Sequence, residues 1–274
     1  MANPVTLRYA DSGQGTPVVL LHGFPLSGAI WHEQQHRLSD HYRVITPDLR
    51  GHGRSPAPPG VYEMDLLARD VIALLDTLLI KKAVIMGHSM GGYVALAAWK
   101  LAPARFLALG MVASQAGADS EEGRQARYKM ADRVAAEGSE VVADAMLPKL
   151  FAPSLPAGSP IIDQVRQLIL HTPSAGIIGS LKGMAARPDS SAQLANLKIP
   201  VLLLAGDKDQ IIPPEKAKAI AASIPTATLT IVENAGHMPM LEQPDATTAA
   251  IRSFLSKVVE ERTCGTAMSE SSSG

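Results

Sequence analysis

The chain has 274 residues, 46% of them apolar, which is enough for a large buried core, although length alone does not separate one domain from two. Lys and Arg total 25 against 26 Asp and Glu, so a net charge of −1 gives no reason to expect nucleic acid or an anionic membrane as a partner. The single cysteine, Cys264, excludes an intramolecular disulfide and a cysteine-rich zinc site.

Short apolar runs bounded by Gly, Pro or Asp alternate with helical patterns along most of the chain. The runs predict buried parallel strands at Val18–Leu21, Arg43–Thr46, Ala83–Met86, Leu107–Val112, Val201–Ala205 and Leu229–Val232. The helical patterns lie at Gly28–Ser39, Met64–Leu79, Gly91–Leu101, Pro214–Ser223 and Asp245–Val259. This alternation predicts an α/β fold with a mostly parallel, doubly wound sheet.

Residues 117–190 interrupt the alternation. Their periodicity predicts helices near Glu121–Ala136, Ser139–Leu150, Pro160–Leu170 and Ala175–Ala186. Because the strand pattern resumes at Val201, we interpret 117–190 as a helical cap inserted into a core formed by 1–116 and 191–260. The Ser-rich segment 261–274 is predicted to be a flexible tail.

The first chemical motif is Gly87-His-Ser-Met-Gly-Gly92, which follows a predicted strand and precedes a predicted helix. Gly-x-Ser-x-Gly in that context places a serine, Ser89, at the tip of a sharp turn. We call this turn the elbow. The helix behind it would direct N–H groups and its positive dipole end toward a developing oxyanion.

A second segment, His22-Gly-Phe-Pro25, follows the predicted strand Val18–Leu21. It would place backbone N–H groups at the end of a neighbouring strand. We therefore expect the N–H groups of Phe24 and Met90 to form an oxyanion hole, with His22 itself in a structural role.

A serine nucleophile requires a base that is oriented by a carboxylate. Among eight histidines, His237 is the best candidate base because it lies in a loop just after a late strand. The acid should come from the loop Gly206–Pro213, where Asp207 and Asp209 both remain possible and Asp209, nearer the loop tip, is favoured. The chain order Ser89, Asp209, His237 is the order expected when such a triad is carried by an α/β sheet with a Gly-x-Ser-x-Gly turn.

Taken together, these segments and Asp48-Leu-Arg-Gly-His-Gly-Arg-Ser55 resemble the α/β-hydrolase family over residues 5 to 258. The segment His22–Gly28 looks like the arylesterase and cofactor-free haloperoxidase branch. The segments Ala143–Pro148 and His171-Thr172 look like 3-oxoadipate enol-lactone hydrolases. The resemblance implies a serine esterase, with a lactonase or perhydrolase as alternatives, and a structural role for the Asp48–Ser55 loop.

Two other interpretations compete with this one. His32-Glu-Gln-Gln-His36 matches the zinc-peptidase motif His-Glu-x-x-His, but no third ligand follows, so we expect no metal and interpret His32 and His36 as a solvated helix face. The resemblance also allows a ligand-binding receptor, because some family members with an intact triad bind hormones.

We expect the substrate pocket to lie between sheet and cap and to draw on Met130, Met146, Leu150 and Met184. The predicted substrates are short- to medium-chain esters, and Arg124, Arg127 and Lys149 could admit a carboxylate. No cofactor is expected. The amino terminus lacks a signal-peptide pattern and no apolar run reaches about 18 residues, so a cytoplasmic protein without a membrane span is predicted, of undetermined oligomeric state.

Overall fold

The structure is a computed structural model that describes the backbone of residues 3–271 and the side chains of residues 3–260. Within those residues the strands form one seven-stranded sheet. The strands are β1 (Tyr9–Ser12), β2 (Thr16–Leu21), β3 (Tyr42–Pro47), β4 (Ala83–His88), β5 (Phe106–Val112), β6 (Val201–Gly206) and β7 (Ala227–Val232). Their order across the sheet is β1-β3-β2-β4-β5-β6-β7, and all pairs are parallel except β1 with β3.

The mostly parallel sheet predicted from the apolar runs is confirmed. Every residue of β4 and β6 is buried, as expected for central strands covered on both faces. The edge strand β1 was not predicted. Its sequence, Tyr-Ala-Asp-Ser, has no apolar run, and it joins the sheet through antiparallel pairing with β3.

The helices are α1 (His32–Leu38), α2 (Met64–Thr77), α3 (Met90–Leu101), α4 (Glu121–Glu137), α5 (Glu140–Leu150), α6 (Pro160–Leu170), α7 (Ser174–Ala185), α8 (Pro214–Ser223), α9 (Pro239–Glu242) and α10 (Pro244–Ser271). Short 3-10 helices lie at Gly28–Trp31, Pro103–Arg105 and Ser191–Asn196. The helix predicted over Gly28–Ser39 is therefore a 3-10 turn, capped by Ser27, that leads into α1. In the described part of the chain, no helix combines the length and apolarity needed to cross a membrane.

Helices α4 to α7 occupy the chain between β5 and β6, where the sequence predicts four helices. Helix α4 packs against α7 and α5, and α5 packs against α6. The division into a core and a cap made of 117–190 stays a prediction. So does the flexibility of 261–274: α10 extends to Ser271, whereas residues 272–274 and the side chains from 261 onward lie outside the described residues.

The strand order determines where a site can form. Strand β3 lies on one side of β2, and β4 lies on the other side. The direction in which successive strands are added to the sheet therefore reverses between β2 and β4. In open α/β sheets, ligands bind beyond the carboxyl ends of the strands at such a reversal. The segments that follow β2 and β4 are those of Phe24 and Ser89.

Candidate active site

Ser89 lies between the last residue of β4 and the first residue of α3. Its backbone angles, φ 48° and ψ −114°, fall in a region that residues with a side chain rarely adopt. The turn is held by hydrogen bonds from Ser89 N–H to Val112 O (2.9 Å) and from Ser114 Oγ to Ser89 O (2.8 Å). Ser89 is partly exposed although both of its neighbours are buried, so its hydroxyl is available to a ligand.

The glycines around Ser89 make this turn sterically possible. A Cβ on Gly87 would lie 2.1 Å from the backbone of Gly91, and a Cβ on Gly91 would lie 2.7 Å from the carbonyl oxygen of His22. Neither separation is compatible with a side chain, because both obstacles are backbone atoms. The steric limits at these two positions therefore explain the Gly-x-Ser-x-Gly spacing of the motif.

The segment after β2 lies directly against the elbow. Strands β2 and β4 pair with Leu21 opposite Gly87, and a Cβ on Gly23 would lie 3.1 Å from Ser89 Cβ. Within the described residues, the backbone N–H groups of Phe24 and Met90 have no hydrogen-bond acceptor. Two unengaged donors therefore flank Ser89, one on the β2 segment and one at the amino end of α3.

His237 and Asp209 form a buried pair. Gly206 at the end of β6 lies opposite Val232 at the end of β7, which brings the two following loops together. His237 Nδ1 lies 2.8 Å from Asp209 Oδ2, and the side chains are 2% and 0% exposed. A carboxylate at Nδ1 fixes the proton on that nitrogen and leaves Nε2 with its lone pair.

The structure distinguishes the two candidate carboxylates. Asp209 Oδ1 accepts from the N–H groups of Ile211 (2.8 Å) and Ile212 (2.9 Å), so its other oxygen is held toward His237. Asp207 instead accepts from Ala235 N–H at 3.3 Å and forms an ion pair with Lys208. Asp209 is thus the residue paired with the histidine, and Asp207 stabilises the turn.

Glu242, on α9, supports the His237 loop and was not predicted from the sequence. Its Oε1 accepts from the N–H groups on both sides of the histidine, those of Gly236 (2.9 Å) and Met238 (3.2 Å), and its Oε2 accepts from Ala152 N–H (2.7 Å). Burial, together with the charge of Asp209, raises the pKa of Glu242 although the three N–H groups oppose the shift. One carboxylate thereby ties the loop to the segment after α5.

Other histidines near the site are held neutral. Burial lowers the pKa of His22 to about 4 and that of His52 to about 3, and it lowers the pKa of His88 well below the ordinary value. His22 Nε2 accepts from Leu49 N–H (2.8 Å), which confirms its predicted structural role, and His88 Nε2–H donates to the carbonyl oxygen of His237 (2.8 Å). These rings serve as hydrogen-bond partners of the loops around the site.

The Asp48–Ser55 loop has the structural role that the resemblance implies. Asp48 accepts from the N–H groups of Gly28 (2.9 Å) and Arg54 (2.9 Å), and Ser55 Oγ donates to Asp48 O (2.6 Å). The loop is thus closed by its own hydrogen bonds and tied to the start of the first 3-10 helix.

The His-Glu-x-x-His segment lies on α1. His32 and His36 are exposed as expected, while Glu33 forms an ion pair with Arg37. In the described part of the chain, no three His, Cys, Asp or Glu side chains are grouped so that they could hold a metal ion.

Ser89 and His237 line one cavity of about 210 Å³, together with Phe24. Of the side chains predicted for the pocket, Met146 and Met184 line it. Met130 and Leu150 are not among the residues that line this cavity. Met130 packs against the hydrophobic core, and Leu150 is buried at the end of α5, where its carbonyl oxygen accepts from His237 N–H (2.9 Å). The other lining residues are Tyr93, Gln115, Asp119, Arg127, Ile211 and Ile212.

Comparison with known proteins places this geometry in context. Residues 16–244 match the family model described as alpha/beta hydrolase fold. A thermophilic esterase from Thermogutta terrifontis, solved with malate bound, superposes with a TM-score of 0.90 at 42% identity over 92% of this chain and 93% of its own. The enol-lactonase from Burkholderia xenovorans superposes with a TM-score of 0.85 at 29% identity, over 91% and 96% of the two chains. The 3-oxoadipate enol-lactonase 2 of Acinetobacter baylyi is 32% identical over 258 residues, which is 93% of this chain and 95% of the relative.

Proposed function

Because this chain belongs to the alpha/beta hydrolase fold family, we propose that it is a serine esterase that cleaves short- to medium-chain carboxylic esters through an acyl-enzyme. The observation that carries the proposal is the buried His237–Asp209 pair, whose histidine lines the same cavity as Ser89. A nucleophile, a base and an orienting acid are the groups that acyl transfer requires.

In the first half of the reaction, His237 Nε2 takes the proton of Ser89 Oγ as that oxygen attacks the ester carbonyl. The free N–H groups of Phe24 and Met90 donate to the oxyanion, and the positive end of the α3 dipole adds to its stabilisation. His237 then protonates the leaving alcohol, and the acyl group stays on Ser89.

In the second half, His237 activates a water molecule that attacks the acyl-enzyme, and Ser89 leaves with the proton. Asp209 keeps the His237 proton on Nδ1 throughout and stabilises the imidazolium that forms twice per turnover. Glu242 and His88 hold the histidine backbone in place, one at its neighbouring N–H groups and one at its carbonyl oxygen.

The size and lining of the cavity support small substrates. Its volume of about 210 Å³ is below the roughly 300 Å³ at which pockets for drug-sized ligands begin. Met146 and Met184 come from α5 and α7, so the helical segment 117–190 forms one wall. We therefore propose that this segment is a cap that selects substrates by size, and that thioether side chains let the wall adapt to different acyl groups.

Lactone hydrolysis is the second candidate because two of the similar proteins are enol-lactonases. A lactone is a cyclic ester, so the same groups would open it, and the leaving alcohol would remain attached to the acyl group. Perhydrolysis, with peroxide in place of water in the second half-reaction, would also use the same acyl-enzyme.

The test compares p-nitrophenyl esters of increasing acyl length with lactones of matched size, using the wild type and Ser89→Ala. The proposal expects ester turnover that is greatest for short acyl groups and is lost in Ser89→Ala. Higher kcat/KM for the lactones would assign the second candidate. A protein that binds these compounds without hydrolysing any of them would instead be a receptor.

A further inference from the structure

A charged cluster outside the Ser89–His237–Asp209 group reaches the same cavity. It consists of Asp119, after β5, Arg127 on α4, and Arg187, just after α7. Asp119 Oδ2 accepts from Arg127 Nε, and Asp119 Oδ1 accepts from Arg187 Nη2 at 2.8 Å. We call these three residues the Asp119 cluster.

The cluster contains one carboxylate for two guanidinium groups. Burial by itself raises the pKa of Asp119, but the hydrogen bonds from the two arginines outweigh it and hold the pKa below its ordinary value, so Asp119 is ionised. Asp189 also interacts with Arg187, but its side chain is exposed, and water screens that attraction. The buried part of the cluster therefore keeps an excess positive charge.

Arg187 is buried behind the wall of the cavity and does not line it. Its Nη1 donates to Met184 O (3.1 Å), its Nη2 donates to Gly117 O (3.0 Å), and its guanidinium lies 4.2 Å from the ring centre of Tyr93. The side chain is only 3% exposed. Arg187 thus holds Asp119 in place and contributes charge from behind the cavity wall.

Arg127 presents the remaining charge to the cavity. Its side chain is 24% exposed and lines the cavity that contains Ser89 and His237. Its Nη1 has only the thioether sulfur of Met184 as a partner, at 3.4 Å, and sulfur is a weak acceptor. Because its present partner is so weak, Arg127 Nη1 can still form a stronger hydrogen bond with an oxygen acceptor.

We propose that Arg127 binds a carboxylate of the substrate, so that the preferred substrates are esters or lactones that carry a free carboxylate. This inference rests on the proposed function, because it concerns the substrate of the same site. A carboxylate at Nη1 would make charge-assisted hydrogen bonds in a largely enclosed space, where such bonds are stronger than in water. The small cavity limits the substrate to a short chain between its carboxylate and its ester group.

The experiment compares matched pairs of substrates that differ in a carboxylate. Monomethyl glutarate is paired with methyl pentanoate, and the acetyl ester of 4-hydroxybutanoate is paired with butyl acetate, so that both sides of the ester are tested. For the wild type we expect kcat/KM at least about tenfold higher for the carboxylate in one of the pairs, the effect of a single charge-assisted interaction. Equal values in both pairs would overturn the inference.

The variant Arg127→Gln should lower kcat/KM for the preferred carboxylate substrate about tenfold or more relative to its neutral partner, mainly through KM. Arg124→Gln is the matched control, since Arg124 lies on the same helix, is exposed, pairs with Glu121 and does not line the cavity. Asp119 keeps Arg187 as a partner in the Arg127 variant, and Arg127→Met is used if the glutamine variant does not fold. Equal loss for charged and neutral esters would mean that Arg127 is only structural, and would overturn the inference.

Failure of the proposed function gives a different result. If neither the neutral nor the charged esters are hydrolysed, the esterase proposal fails, and calorimetric titration with glutarate decides the present inference. Binding by the wild type that weakens about tenfold in Arg127→Gln supports it. Absence of binding, or equal binding by both proteins, overturns it.

Discussion

Replacing Asp209 with asparagine tests the proposed orientation of His237. The two N–H groups of Ile211 and Ile212 require an acceptor, so the amide oxygen should take the place of Oδ1 and the amide nitrogen should face His237 Nδ1. That nitrogen can only donate, so Nδ1 must become the acceptor and the ring proton must move to Nε2. The base would then have no lone pair directed at Ser89.

The expected loss in kcat for Asp209→Asn is about 10⁴-fold, the order found for this change in other Ser-His-Asp triads, which corresponds to about 5.5 kcal/mol of activation free energy. The fold should remain, because the two residues have the same shape. The assay is p-nitrophenyl ester hydrolysis under saturating substrate, with urea unfolding as the check on folding.

Asp207→Asn is the matched control. Asp207 is 26% exposed, and its partners are Ala235 N–H and Lys208, away from the histidine. We expect kcat within about threefold of the wild type. An equal loss in both variants, or an active Asp209→Asn protein, would refute the assignment of Asp209.

Three further predictions concern the surroundings of the site. Glu242→Gln places an amide N–H group against the backbone N–H groups that the carboxylate now binds, so kcat should fall about tenfold or more with KM nearly unchanged. The control is Glu233→Gln, at an exposed position, which should leave both constants unaltered. A change confined to KM would contradict the positioning role of Glu242. Gly91→Ala puts a Cβ 2.7 Å from the backbone oxygen of His22. The free energy of unfolding, measured in urea, should fall by about 1–3 kcal/mol or more. An unchanged free energy of unfolding would show that this position tolerates a side chain. Burial lowers the pKa of His22 from 6.5 to about 4 and that of His52 to about 3, so below pH 6.5 the unfolded chain binds protons that the folded chain does not. The free energy of unfolding should therefore fall by about 2 kcal/mol per histidine between pH 7 and pH 5, and a stability that is constant over this range would contradict it.

The sheet and the elbow could be predicted because their physical signals are local. A buried parallel strand is a continuous apolar run, as in β4 and β6, and a turn as sharp as that at Ser89 requires glycines at fixed positions. Strand β1 gave no such signal because it is a four-residue edge strand that joins the sheet through backbone pairing. The start of α1 differed from the prediction for a similar reason, since the 3-10 turn at Gly28–Trp31 is set by single hydrogen bonds.

The residues that support the site could not be predicted in the same way. Glu242 accepts from backbone groups on two separate segments, and Asp119 meets Arg187, which lies beyond α4 to α7 in the chain. No motif or periodicity links such positions, because the contacts depend on how α4, α7 and α9 pack. The residues of the cavity wall were hard to predict for the same reason. Helical periodicity does not show that Met184 lines the cavity and that Met130 does not.

Covalent labelling decides whether Ser89 is the nucleophile. The wild-type protein is treated with a fluorophosphonate, and the labelled residue is identified by mass spectrometry of its peptides while ester hydrolysis is followed. We expect one adduct, on Ser89, which forms in parallel with the loss of hydrolysis. Labelling at another residue, or continued hydrolysis by protein fully labelled at Ser89, would contradict this assignment.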